Sequence, residues 1–284
     1  MSADNPLSTY FRTPKIYTAL PSEGKLYNTE IVDFNSDTQE VPVFAMTARD
    51  EMVMKNPDAL LNGDAITQVI QSCVPSVKKP QELIGVDVDT LLIAIQGATY
   101  GDEVTVETSC PECGNAVVGA ASIDSCIQDM TFLPDDIGFT TDNGLVVQLR
   151  PVTYKTTVKA GVSGFQNTRS LQVIADIEDE LEQLKAFNET YIRMSALNFE
   201  ILVDSIQSVS GAGPDGETFV VQDRKNIREF MENCDSTVGK QITDQVEKIS
   251  TVGVKKNVKL QCEDCEHIFE TDIGFDPVNF SIAS

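Results

Sequence analysis

An α+β fold is predicted for this 284-residue chain by three observations. Short stretches of alternating apolar and polar residues lead into two Cys-x-x-Cys sequences, one towards each end. Between them, apolar residues recur every three or four positions, the period of an amphipathic helix. The hydrophobic share, 41%, is enough at this length to bury one generous core or two smaller ones.

The opening stretch mixes Tyr10, Phe11 and Tyr17 with Arg12, Lys15 and prolines at 6, 14 and 21. Proline removes backbone donors, and the stretch has little alternation, so it reads as an extended arm that builds neither helix nor sheet. From Lys25, "KLYNTEIVDF" and then "EVPVFAM" read as strands. Thr47 with Asp50 three residues on has the spacing of a capping box. A helix after Asn62-Gly63 would bury Ile66, Val69, Ile70 and Cys73. Asp87 or Asp89 is expected to cap the next helix, which stops at Gly101. "EVTVETSC" then alternates as a strand into the first cysteine pair.

In the middle of the chain, "TDNGLVVQLRPV" predicts a hairpin around Asp142-Asn143-Gly144. Ile174, Ile177, Leu181 and Leu184, then Tyr191, Met194, Leu197 and Ile201, predict a long helix or a helical hairpin between Arg169 and Val209. Its acidic run "DIEDELEQ" reads as a solvated face. "SGAGPDGETFVV" reads as a small β-hairpin, Asp223 as the cap of the next helix, and Val238 to Ile249 as another. "GVKKNVKLQC" returns to strand alternation. The expected organisation is an arm at 1–24, an α+β region with the first cysteine pair at 25–124, a mainly helical insertion with a β-hairpin at 125–252, and the second pair with a tail at 253–284.

The net charge of −23, from 44 acidic against 21 basic residues, argues against a nucleic-acid surface, which needs clustered Lys and Arg. It suits docking against basic surfaces in an assembly. No run of about 18 apolar residues is present, and "MSADNPLSTYFRTPK" lacks the pattern of a secretion signal, so synthesis in the cytoplasm and no membrane partner are expected. Seven cysteines in that setting point to metal ligands and reduced thiols rather than disulfides.

Aligned on their first cysteines, the two pairs share more than sulfur. Val106 and Val258 lie four residues before. Val117 and Phe269 lie four residues after the second cysteine, and Ile123-Asp124 matches Phe275-Asp276. This is a weak repeat of strand, Cys-x-x-Cys turn, strand. In such a knuckle two intervening residues let both sulfurs face one ion while nearby amides donate to the thiolates. Gly114 suits the tight turn, whereas the second copy has Glu266 there. Each knuckle supplies two ligands and tetrahedral zinc takes four, so Cys110, Cys113, Cys262 and Cys265 are expected to hold one structural zinc per chain. The distant pairs then become two halves of a zinc ribbon. His267 in place of Cys265 is a poorer fit.

Four thiolates leave no open coordination position for a reacting water. With a single histidine and no Gly-rich phosphate loop, an enzyme is not expected. Cys73, Cys126 and Cys234 read as buried small hydrophobes.

Several stretches together resemble a known family. They are "LPSEGKLY", "VPVFAMTARDEMVMKNPDALLNGDAITQVIQSCV", "DVDTLLIAIQGATYGDEVTVETSCPEC" and "CEDCEHIFETDIGFDP". Over roughly the first 125 residues and the last 30, the chain is similar to the baseplate hub subunit family of contractile-tailed, T-even-like bacteriophages. That resemblance implies a virion structural protein of the tail baseplate, without enzymatic activity, present in multiple copies and docked on other tail proteins of hub, tube or wedge. The apolar side chains near the chain ends, Tyr10, Phe11, Tyr17, Phe280 and Ile282, together with Arg12, are the expected partner-binding residues. Two other readings compete: a zinc-ribbon nucleic-acid binder using Lys255, Lys256 and Lys259, and a tail assembly factor absent from the finished particle.

Overall fold

The N-terminal segment is woven into the first sheet. In the computed structural model, which describes residues 6–35, 37–175, 177, 179–213 and 217–273, a 3-10 turn at Pro6–Tyr10 leads into β1 (Pro14–Thr18). β1 pairs antiparallel with β2 (Val41–Phe44), Thr18 opposite Val41. The chain is extended over β1, as expected, but the view that it builds no sheet is corrected. Pro14 is tolerated because it opens the strand, where its missing N–H breaks no ladder. Arg12 donates to the carbonyls of Ala45 and Ser72, each at 2.6 Å, and Leu20 is completely buried.

The strand expected from Lys25 is replaced by consecutive turns. Glu23 N–H donates to Leu20 O, Lys25 N–H to Ser22 O and Tyr27 N–H to Gly24 O, with Glu23 and Gly24 both at positive φ. Only Val32 makes a β-bridge, to Val77. The reason lies below these turns, in a buried carboxylate. Asp87 accepts from Ser22 N–H at 3.0 Å and from the Tyr27 hydroxyl at 2.5 Å, while that hydroxyl accepts from Ile84 N–H at 2.9 Å.

Three short helices follow: α1 (Ala48–Met54), α2 (Pro57–Leu61) and α3 (Asp64–Cys73). The capping box at Thr47 and Asp50 is present, and α3 buries Ile66, Val69, Ile70 and Cys73 as its spacing requires. α4 (Gly85–Tyr100) buries Leu91, Ile93, Ala94 and Ile95 on all sides, which marks it as a central helix. Neither candidate aspartate caps it. The cap position is Ile84, Asp87 is turned inward, and Asp89 pairs with Lys256 at 2.6 Å.

Burial holds the Asp87 carboxyl above the usual carboxylate range, against the opposing hydrogen bonds from Ser22 and Tyr27. A raised folded-state pKa means tighter proton binding when folded, so this stability is complete below the unfolded value and lost as pH rises through the folded one. Replacing Asp87 by Asn is therefore expected to flatten the profile: the urea midpoint of wild type falls relative to the variant as pH rises above the unfolded carboxyl value of about 4. Identical profiles would remove Asp87 from the account. Tyr27→Phe, which strips Asp87 and Ile84 of a partner, is expected to cost about 2 kcal/mol.

β3 (Glu103–Ser109) and β4 (Ala116–Ser122) form a hairpin around the first cysteine pair, and α5 (Ile123–Gln128) follows, capped by Ser122. The chain divides after Phe132 into a second unit, 133–252. There β5 (Phe139–Thr140) and β6 (Val146–Leu149) form the expected hairpin. A helical hairpin, α6 (Tyr154–Ala175) and α7 (Glu180–Asp204), is followed by β7 (Ile206–Ala212) and β8 (Thr218–Val221). The two β-hairpins join through β6 and β7 into one antiparallel sheet of order β5-β6-β7-β8, a pairing that spans the whole helical hairpin. α8 (Arg224–Asn233), capped by Asp223, and α9 (Ser236–Ser250) supply Ile227, Met231, Val238 and Ile242 to a core shared with Val147, Leu149 and Val209.

The chain then re-enters the first unit. Thr131 and Gly253 exchange two backbone hydrogen bonds of 2.9 Å, closing the chain where it leaves and returns. β9 (Asn257–Gln261) and β10 (Ile268–Asp272) form the second cysteine hairpin.

Candidate metal centre

The two hairpins have one register. Ser109 faces Ala116 and Val106 faces Gly119 in the first; Gln261 faces Ile268 and Val258 faces Thr271 in the second, each pair at the same offset from the cysteines. The turns repeat too. Cys110 N–H donates to Asn115 O and Gly114 N–H to Cys110 O, while Cys262 N–H donates to His267 O and Glu266 N–H to Cys262 O, at 2.8 to 2.9 Å. Gly114 and Glu266 occupy the same left-handed position, with φ of 76° and 59°. For glutamate that conformation is strained, so Glu266→Gly is expected to stabilise the chain by about 1 kcal/mol in chemical denaturation. A destabilised variant would show that the Glu266 side chain contributes more than its backbone costs.

The turns bring the four sulfurs together. Cys110 Sγ lies 3.6 Å from Cys265 Sγ and Cys113 Sγ lies 3.6 Å from Cys262 Sγ, with all four ligand atoms within 4.8 Å of one another. These separations are far beyond a disulfide bond of about 2.05 Å. They match the edge of about 3.8 Å of a sulfur tetrahedron at zinc–thiolate distance. Cys110 and Cys262 are buried and Cys113 and Cys265 exposed, so each knuckle offers one sulfur from beneath and one from the surface.

Local dipoles separate the thiols. Burial opposes ionisation of Cys110, but the Cys113 and Glu112 amides and the neighbouring thiols of Cys265 and Cys113 bring it down to about 7. At Cys265 the His267 amide favours the thiolate, yet burial and three surrounding thiols push it up to about 12. Four thiols in this space compete for charge, and a divalent cation is the group that lets all four ionise. The donor set fits zinc. His267 stacks beside Phe269 and is not among the clustered ligands.

Residues that hold the hairpins together carry no spacing signal. Leu260 packs on Gly119 so closely that a Cβ there would lie 2.3 Å from its side chain. Asn115 donates to Asp264 at 2.9 Å across the knuckles, and Leu260, Cys262 and Ile273 share a cluster with Val106, Val117 and Cys126. A small residue facing an aliphatic one is an ordinary strand feature until the hairpins are placed.

Of the expected partner-binding residues, Tyr10, Phe11 and Tyr17 are exposed, at 84%, 63% and 58%. Arg12 is exposed but tied to the fold: it bonds to Ala45 and Ser72 and stands 5.7 Å from the centre of the Phe44 ring. Phe280 and Ile282, like Phe275-Asp276, lie outside the described residues. Two of the three lysines of the nucleic-acid reading are paired, Lys256 with Asp89 and Lys259 with Glu270.

The family model described as T4 bacteriophage base plate protein matches residues 13–280, through both knuckles and everything between them. No curated protein and no solved structure matches the chain. A shared pattern over nearly the whole chain, with the cysteine centre inside it, is the ground for the assignment: the chain belongs to the T4 bacteriophage base plate protein family.

Proposed function

We propose that this base plate protein is a structural subunit of the hub region, in which one zinc ion held by Cys110, Cys113, Cys262 and Cys265 fastens the two ends of the chain. The observation that carries this reading is the gathering of four sulfurs, from knuckles far apart in sequence, within 4.8 Å. Zinc would supply a closed tetrahedral crosslink and no reaction, since four thiolates leave it no open position. The chain's own residues do the rest. The amides of Glu112, Cys113 and His267 support the thiolates, and Leu260 seats one hairpin on Gly119.

A subunit of this kind acts by rigid presentation of docking surfaces to other tail proteins. Leu7, Tyr10, Phe11 and Tyr17 are exposed apolar side chains before and within β1, and Phe280 and Ile282 of the tail are proposed to join them in docking. Elemental analysis of purified protein tests the centre. One zinc per chain is expected, absent from both Cys110→Ser and Cys262→Ser. No metal, or zinc retained when Cys262 is changed, would overturn the shared site.

A further inference from the structure

Arg169 of α6 and Glu189 of α7 line the same groove of the helical hairpin and do not meet across it. The groove, of about 500 Å³, runs between Gln166, Arg169 and Val173 on one wall and Ala186, Glu189 and Arg193 on the other. Each trio is spaced by three and then four residues, so each lies along one face of its helix. Among the described residues neither Arg169 nor Glu189 forms an ion pair, and Val173 is 63% exposed.

Charge decides what this groove fits. α6 carries Lys155, Lys159 and Arg169 and no acid, whereas α7 carries five acids against two bases. The helices run antiparallel, with the Gln183 side chain donating to the Ile174 carbonyl at 3.2 Å. Five residues back along α6 and six onward along α7, Arg169 and Glu189 stand at about one height. Opposite charges at one height on two walls make the groove complementary to itself. A two-fold axis along the hairpin lays α6 of one copy over α7 of another and keeps the heights. Arg169 then meets Glu189 of the second copy, and the symmetry repeats the contact. Val173 falls likewise on Ala186, a large side chain over a small one. A two-fold axis across the hairpin would instead set the three bases of α6 against themselves. The net charge of −23 opposes association in general, but this lining holds two bases and one acid, so the repulsion is not focused here.

We propose that the α6–α7 hairpin is a self-association surface, on which a second copy of the chain docks with its α6 over α7, paired through Arg169 and Glu189 and packed through Val173 and Ala186.

Sedimentation equilibrium of the full-length protein, from about 1 to about 100 μM in about 0.15 M salt, reads the association. A monomer–dimer equilibrium is expected. Arg169→Glu and, separately, Glu189→Arg each set like charges together at both contacts and are expected to weaken it at least about tenfold. Val173→Asp is expected to weaken it about as much. Mixing the two charge variants in equal amounts is expected to recover dimers, because one then brings two acids to the contact and the other two bases. An ion pair within one chain gains nothing from mixing. All three positions are exposed, and circular dichroism checks that the variants stay folded. A wild type that is monomeric throughout, association unchanged in the variants, or a mixture that stays monomeric overturns the proposal. The cysteines are untouched, so any of these results leaves the metal centre as it stands.

Discussion

Under the proposed zinc centre, chelation of the purified protein at neutral pH is expected to lower its melting temperature by about 10 °C or more, and adding zinc back should restore it. The cluster around the centre is small: Val106, Val117, Ala121, Cys126, Leu260 and Ile273 are its buried side chains besides Cys110 and Cys262. Two separate two-stranded ribbons cannot stand on so little apolar burial. What else holds β9 and β10 is modest, namely Leu260 on Gly119, the partly exposed Lys256–Asp89 pair and the bridge at Thr131 and Gly253. A loss of about 4 kcal/mol converts to that shift at about 2–4 °C per kcal/mol for a chain of this size. Cys113 and Cys265 are exposed, so a chelator could reach an ion held there without prior unfolding. Cys262→Ser should reproduce the chelated curve. Unfolding that is indifferent to both treatments would mean that the ribbons are held by packing alone.

Deleting residues 1–20 is expected to collapse the first unit, whereas deleting 1–9 should leave its stability near wild type. The longer deletion removes β1 and so strips β2 of its ladder partner. It also removes Leu20, fully buried, and the Arg12 hydrogen bonds that join the segment to Ala45 and Ser72. Loss of one buried leucine alone costs about 2–5 kcal/mol, and the uncovered Val41 and Val43 add to it. Among the described residues, the shorter deletion removes most of the Pro6–Tyr10 turn, with exposed Leu7, and leaves β1 and Leu20 in place. Thermal scans of both proteins check this. Equal melting temperatures for the longer deletion and wild type would show that β1 contributes nothing to the fold. With the 1–9 protein stable, Tyr10→Ser and Phe11→Ser then probe docking in particle incorporation without confounding it with folding.

Local chemistry was readable wherever a few neighbouring residues decide the outcome. The Thr47–Asp50 box, the Asp223 cap, the buried face of α3 and the turn at Asn143-Gly144 depend on side chains within one turn of each other. Each stands where its spacing places it. The spacing of Tyr191, Met194 and Ile201 likewise announces α7, but not that part of its apolar stripe stays in solvent. Asp87 shows the opposite case. As a short acid near a helix start it has the signature of a cap, yet it sits inside α4 because Tyr27 and Ser22, about sixty residues away, supply its donors. The pairing of β6 with β7 was invisible for the same reason, since two short strands gain a ladder only after the intervening hairpin has folded back.

By itself the sequence determined the two knuckles, the four cysteines that come together and the helical character of most of what lies between them. Those features are written in offsets of two to four residues, and covalent geometry enforces such offsets in any context. The tertiary structure alone decided that the N-terminal segment is a strand, that Asp87 is buried rather than capping, and that Leu260 rests on Gly119. These are contacts between residues remote in the chain, stabilised by the burial and hydrogen bonding that come into being only when the fold brings them together.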